Sequence, residues 1–540
     1  MRTTFLATIV LICSVGFVRA EQTASIVTSD PIHFVKGAGS VTRPVQPDEI
    51  FRVVSIEGDE VTVADSQGYQ ATLNRASLKL TDVIPPAPPA TNAPSVPASN
   101  SPPVHSQSPP PSSDGSVISP LTTNSVNNNA SQEDADFLRH LNDAFQAPVF
   151  ATPNLWAEDV AGVADRLQWP QESKTPTDSS YRKYALGEAN VSILGARAYS
   201  MALYARNGHP TYISIVFANM GDFPEMHAID EKRLKNITVS DDEINKAMED
   251  LNAAVKADAD NINARLTSVL GTPESHVFGP TADSRVNVHR WDWKGHTILF
   301  SSPQNRYAAI KIVPTEVADH FGDVDNMDRE TIKAALANRV LKRDNGDVIT
   351  QEIPMVDQGP KGYCVPATWE RYLRYVDVPA DMYVLAMMGN SGMGGGTNMA
   401  AMTAAVDSYV EAYGRRIETA NVPLDVTHVS KFIDQGLPLM WGCFVTKDVE
   451  KSINHHSALR RTVTDWSAYK QSLVADDKAL PPIDREQARL NGHMRMIIGY
   501  NSQTDELAIS DSWGEHFAER WITVTEAQST SNNDLEYIQW

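Results

Sequence analysis

The stretch Gln358-Gly-Pro-Lys-Gly-Tyr-Cys364-Val-Pro-Ala-Thr-Trp369 sets a cysteine at the threshold of a helix, with a glutamine six positions upstream. From Pro366 onward, Ala367, Trp369, Tyr372, Leu373 and Val376 recur at three- and four-residue steps, the spacing of an apolar helix face. Pro366 suits the first turn, where its missing N–H costs nothing. Cys364 is thereby expected at the positive end of the helix dipole, which favours a thiolate over a thiol. The thiolate is the nucleophilic form, so the local pattern points to covalent catalysis; the competing reading is a small buried hydrophobe.

Far downstream, Asn491-Gly-His493-Met-Arg-Met-Ile-Ile-Gly-Tyr500 reads as a strand that begins at a histidine. A polar turn follows at Ser502-Gln-Thr-Asp505, and then Leu507-Ala-Ile-Ser-Asp511-Ser-Trp513-Gly514. Two short strands across such a turn form a hairpin, whose return strand brings Asp511 beside His493. A base oriented by a carboxylate, with a cysteine supplied from elsewhere, is the nucleophile–base–orienter arrangement of covalent catalysis.

In this order and spacing the four residues Gln358, Cys364, His493 and Asp511 resemble papain-like cysteine peptidases, whose histidine lies roughly 130–150 residues after the cysteine. Here 129 positions separate Cys364 from His493. Ser510-Asp-Ser-Trp-Gly514 resembles the family's Asn-Ser-Trp-Gly segment with aspartate for asparagine. That aspartate, with Cys-Val-Pro-Ala-Thr around the nucleophile, is most similar to the bacterial branch typified by double-glycine leader peptidases. The resemblance covers roughly the last 190 residues. It implies a Cys364–His493–Asp511 triad, an oxyanion hole from the Gln358 amide and the Cys364 N–H, and Trp513 shielding the His493–Asp511 pair at the substrate groove. It also implies a peptide or protein substrate and no cofactor or metal, since the thiolate is itself the nucleophile. Two departures flank the chemistry: Val365 stands for the usual glycine and Met494 for a small residue, and both are expected to narrow the groove.

Around this domain the chain reads as a multidomain α+β protein of 540 residues. The formal charge of −21, from 67 acidic and 46 basic residues, argues against general nucleic-acid binding, which needs clustered Lys and Arg. Residues 1–20 read as a signal peptide, with Arg2, an apolar run from Phe5 to Val18 and a cleavage site at Val18-Arg19-Ala20. Beyond it no run approaches a membrane span, so the mature chain is expected to be secreted or periplasmic without a transmembrane segment. Export leaves Cys364 and Cys443 to be weighed as a disulfide pair against nucleophile and packing residue. Residues 30–82 carry short strands at 51–56, 61–63 and 68–73. They suit a small Src-homology-3-like β-barrel, which by analogy implies a cell-wall or peptide ligand; a plain spacer is the alternative. Residues 83–134, rich in Pro, Ser and Asn, are expected to be a disordered linker.

Residues 135–345 read as a separate α+β domain of unknown function, with strands near 198–205, 211–219, 286–293, 297–301 and 308–313. A capping box at Ser240-Asp-Asp-Glu243 opens a helix that Gly271 closes. His227, His276, His289 and His296 lack metal-ligand spacing. In the C-terminal domain, 346–540, Gly394-Gly395-Gly396-Thr397 lacks the lysine of a phosphate loop, and Gly395 is expected to line the substrate groove. The polar stretch 446–490, with His455-His456, is expected to lie over the rim of the site as a lid. Two rival readings have the same residues serve a cell-wall amidase or acyl transferase, or a non-catalytic scaffold that keeps a peptidase-like fold for binding.

Overall fold

The computed structural model describes residues 126–540, apart from 186–190, 236, 283, 304–305 and 489–490, together with strands between 22 and 82. The expected signal segment and residues 83–125 of the expected linker lie outside the described residues. The N-terminal module is a seven-stranded antiparallel sheet. It takes in Gln22–Ile26, ahead of residue 30, between Ile50–Glu57 and Leu78–Asp82. Val61 and Val63 are buried with Thr62 less so, the two-residue alternation of a half-buried strand.

Residues 126–134, read as linker, are instead the opening turns of the helix Val126–Phe145. Leu138, Leu141 and Phe145 bury one face of it. Once that face is anchored, each further residue adds a hydrogen bond without a new nucleation cost, so polar composition does not stop the helix.

The middle of the chain folds as an eight-stranded antiparallel sheet. The spatial order is Glu274–Phe278, Val286–Trp293, His296–Ser301, Tyr307–Pro314, His209–Asn219, Ser200–Arg206, Asp178–Tyr184 and Gln171–Lys174. The helix Asp241–Leu270 packs on it, opened by a complete Ser240–Glu243 capping box and closed at Gly271. Its Leu251, Val255, Ile262 and Leu266 are fully buried. The two last strands in that order are polar because they bury ion pairs: Arg182 Nε lies 2.6 Å from Glu172 Oε1, and Ser180 donates to the same carboxylate.

The C-terminal sheet runs Val340–Lys342, Asp347–Thr350, Gly492–Asn501, Leu439–Phe444, Ser531–Gln539 and Arg416–Thr419, with Glu506–Ser510 and Arg520–Thr523 branching from Gly492–Asn501. The helix Cys364–Tyr375 packs on this sheet. A boundary at 345 would split the hairpin of Val340–Lys342 and Asp347–Thr350. The helix Arg329–Asn338 also belongs here, since Ile332 and Leu336 share a core with Trp369 and Tyr372. Nor is the middle domain separate: Tyr184, Val216 and Tyr307 form one core cluster with Val356, Tyr363 and Tyr383. Sequence periodicity marks which face is buried, not what buries it. No helix among the described residues is long and apolar enough to cross a membrane.

Candidate active site

Cys364 is the first residue of its helix, after a tight loop, and its side chain is buried with a small exposed remainder of 8%. The first turn leaves N–H groups without intrahelical partners. Two backbone N–H groups, of Val365 and Met494, hydrogen-bond to the sulfur. His493 enters as the second residue of Gly492–Asn501 and hydrogen-bonds the Cys364 thiol. Its Nε2 lies 2.8 Å from Asp511 Oδ1, so the bond to sulfur uses Nδ1. Asp511 follows the return strand Glu506–Ser510, as the hairpin reading expected. The structure thus brings Cys364, His493 and Asp511 into one hydrogen-bonded line. Trp513 stacks on the imidazole, centroids 4.6 Å apart and planes 25° off parallel.

Burial on its own raises the Cys364 pKa, but the hydrogen bond and charge of His493 outweigh it, and the net shift is downward. For His493, burial lowers the pKa; Asp511 and the cysteine reverse that and raise it. Opposite shifts in a nucleophile and its base favour the thiolate–imidazolium pair. Cys443 is different. It is free, as is Cys364, and burial pushes its thiol up to about 12. It faces His493 across the neighbouring strand as a packing residue.

Gln358 is tied to the same place: its backbone N–H donates to Ser512 O at 2.9 Å, and its side-chain Nε2 donates to Lys361 O at 2.9 Å. That bond fixes which end of the amide is nitrogen. One further N–H remains on Nε2.

Gly395 does not line a groove. It is buried, with φ of 117°, in a parallel bridge to Gly362, and a Cβ there would lie 2.3 Å from the Gly362 Cα. Gly362 N–H donates to Gly394 O and Gly396 N–H to Gly362 O, so the glycine loop braces the chain two residues before Cys364. Gly395→Ala is expected to cost about 3 kcal/mol, from left-handed strain plus overpacking, seen as a lower urea midpoint. An unchanged midpoint would show that the bridge is dispensable. Val365 and Met494, expected to narrow the groove, are buried in the same core cluster as Cys364.

The stretch 446–490 is not a loose lid. Its first helix, Lys447–Arg460, packs on Arg520–Thr523 and buries Glu450, Asn454 and His456. His455 faces out while His456 is enclosed beside Asp476 and Glu526. What this helix contributes is charge. Asp511 Oδ2 lies 2.5 Å from Arg520, and Asp511 Oδ1 lies 3.1 Å from Arg495 Nε. Both arginines meet Glu450, at 2.7 and 2.8 Å. All four side chains are buried. Burial opposes ionisation of Asp511, but Arg495, Arg520 and His493 hold its carboxyl far below the usual carboxylate range. Sequence reasoning missed this ring. Arg495 was within reach: it lies two residues after His493, hence on the same face of the strand. Arg520 and Glu450 carry no local signal.

A further missed residue is Arg371, on the helix Cys364–Tyr375, which donates to Ser510 Oγ, Ser512 Oγ and Pro354 O from full burial. Burial pulls its guanidinium down to about 10. Among the described residues, no group of His, Cys, Asp and Glu could hold a metal ion. His296 accepts from Leu155 N–H and stacks on Trp156 and Trp293, a packing histidine.

No curated protein and no solved structure matches the chain. A family model, the Peptidase_C39 like family, matches residues 350–539, the segment that carries all of Gln358, Cys364, His493 and Asp511. Over residues 350–539 the C-terminal part of this chain is therefore similar to that cysteine-peptidase-like family.

Proposed function

We propose that this protein is an exported cysteine peptidase that hydrolyses peptide bonds through Cys364, His493 and Asp511. The observation that carries this reading is the hydrogen-bonded line from thiol to imidazole to carboxylate, with opposed pKa shifts at its two reacting members. The Cys364 thiolate attacks the scissile carbonyl, and the oxyanion is met by the Cys364 N–H and the remaining N–H of Gln358 Nε2. The imidazolium gives its proton to the leaving amine, and water then releases the acyl group with His493 as base. Asp511 keeps Nε2 protonated and stabilises the imidazolium. Trp513 shields this pair from water. Residues 1–20 support export by their charge and apolar run.

Incubation of the full chain with a peptide library is expected to give cleaved peptides and an acyl adduct on Cys364 by mass spectrometry. Cys364→Ala is expected to abolish both, and Cys443 to carry no adduct. Binding of peptides with no cleavage and no adduct would leave the scaffold reading in its place.

A further inference from the structure

The loop between Gln358 and Cys364 is held from outside its own domain. Lys361, in the middle of that loop, is completely buried, and so is the side chain it meets: Asp222, from the middle domain, with its Oδ1 3.0 Å from the Lys361 Nζ. The ammonium sits within 4.6–5.2 Å of the ring centroids of Tyr184, Tyr363 and Tyr383. Tyr383 donates its hydroxyl to Asp222 Oδ2 at 2.7 Å, and Tyr184 donates to Asp357 O at 2.5 Å. Glu172 Oε1 accepts from Asp357 N–H at 3.0 Å, and Ser173 Oγ accepts from Met355 N–H at 2.9 Å. The segment on either side of Gln358, from Met355 to Lys361, is thus clamped by middle-domain side chains at four points.

A buried ion pair adds little net stability, because desolvation offsets the attraction; what it fixes is position. The position fixed here is that of the Lys361 backbone, and the Lys361 carbonyl is the acceptor for Gln358 Nε2. Without that carbonyl in place, no other hydrogen bond orients the amide: its Oε1 is buried without a hydrogen-bond partner. We infer that the middle domain is a working half of the active site, with Asp222 acting as a positioning residue that, through Lys361, aims the Gln358 amide at the oxyanion. This inference rests on the peptidase reading and gives the middle domain, which carries no catalytic motif of its own, a part in the reaction. The sequence offers no hint of it, because Asp222 and Lys361 are 139 positions apart and each alone reads as a surface charge.

The experiment separates two reactions of the same sulfur in the full-length protein. Acylation by p-nitrophenyl acetate passes through an oxyanion, whereas alkylation by iodoacetamide does not. Asp222→Asn is expected to slow acylation about 10- to 100-fold, a little less than loss of an oxyanion donor itself, while alkylation at pH 6 stays within about 3-fold. Gln358→Ala is expected to slow acylation at least as much, and the double variant no further than Gln358→Ala alone, as for two residues acting through one group. If Asp222→Asn fails to fold, Tyr383→Phe removes only the hydroxyl that Asp222 accepts and is expected to give the same pattern at about 3- to 10-fold. Equal losses in acylation and alkylation, or additive losses in the double variant, would overturn the inference, since either means a structural role alone. Unchanged acylation in a folded Asp222→Asn enzyme would overturn it too, with the peptidase reading intact. A wild-type protein that forms no acyl-enzyme would overturn both.

Discussion

His493→Ala is expected to slow alkylation of Cys364 at pH 6 about 100-fold. The thiolate fraction sets the upper limit: an ordinary thiol, with a pKa of about 8.5, is only about 0.3% ionised at pH 6, so activation can raise the rate there by at most about 300-fold. In the wild-type site the cysteine's pKa is lowered by the His493 hydrogen bond and charge. Removing the imidazole takes away the main groups that oppose burial, so the thiol pKa rises past its ordinary value and the pH 6 rate drops accordingly. The pH profile carries the same sign. Wild-type alkylation is expected to rise at a pH below that of an ordinary thiol and then stay level. Peptide turnover also needs the imidazolium as acid and is expected to fall again above the raised pKa of His493. The measurement is the iodoacetamide rate at Cys364, read by peptide mass spectrometry between pH 4 and 10 (about the span of the reference thiol and imidazole titrations). Equal rates for wild type and His493→Ala at pH 6 would sink the activated-thiolate reading.

The positions of Cys364, His493 and Asp511 were legible because each sits where local pattern is strong. Cys364 opens an amphipathic helix, His493 opens a strand, and Asp511 ends the return strand of a hairpin. Strand ends near Val286–Trp293 and His296–Ser301 were equally legible, because the turn between them needs left-handed backbone at Lys294 and Gly295, and both adopt it. What sequence could not give is pairing over distance between buried polar residues. Gln171–Lys174 and Asp178–Tyr184 were not among the expected strands because their polar side chains are satisfied by partners that no spacing reveals: Arg182 with Glu172, and Tyr204, which donates in turn to Glu370. The same blindness hid the middle domain's hold on the Cys364 loop, and it made the helix Lys447–Arg460 read as part of a polar lid over the rim. Glu450 on that helix is polar because it is a counter-charge, not because it faces water. Gly395 was misread for a related reason: a glycine-rich run signals close approach of something, and here the partner is backbone, not ligand.

Glu450→Ala is expected to destabilise the C-terminal domain by about 3–5 kcal/mol, the usual cost of removing one member of a buried ion-pair network. In the wild-type ring two carboxylates, Asp511 and Glu450, balance two guanidiniums, Arg495 and Arg520, with every group buried. Deleting Glu450 leaves two buried positive charges sharing one aspartate. Glu450→Gln keeps the shape and part of the hydrogen bonding, so its loss is expected to be smaller. Acid makes the same point in the wild type. Burial works against the charged forms of Asp511 and Glu450, yet the arginines lower both pKa values in the folded state. Carboxyls depressed in this way contribute stability that is complete above their unfolded values of about 4 and is lost as pH falls through the folded ones. The stability of the domain is therefore expected to drop steeply below about pH 4, with a shallower slope in Glu450→Gln, which has one proton fewer to take up on unfolding. Urea unfolding, followed by the fluorescence of the buried Trp441 and Trp521 environment at pH 7 and pH 3.5 (about neutral and about half a unit below the reference carboxyl), reads both effects. A Glu450→Ala protein as stable as wild type at pH 7 would mean that the arginines need only Asp511. The ring would then be a by-product of packing, not the device that keeps the carboxylate partner of His493 ionised and in place.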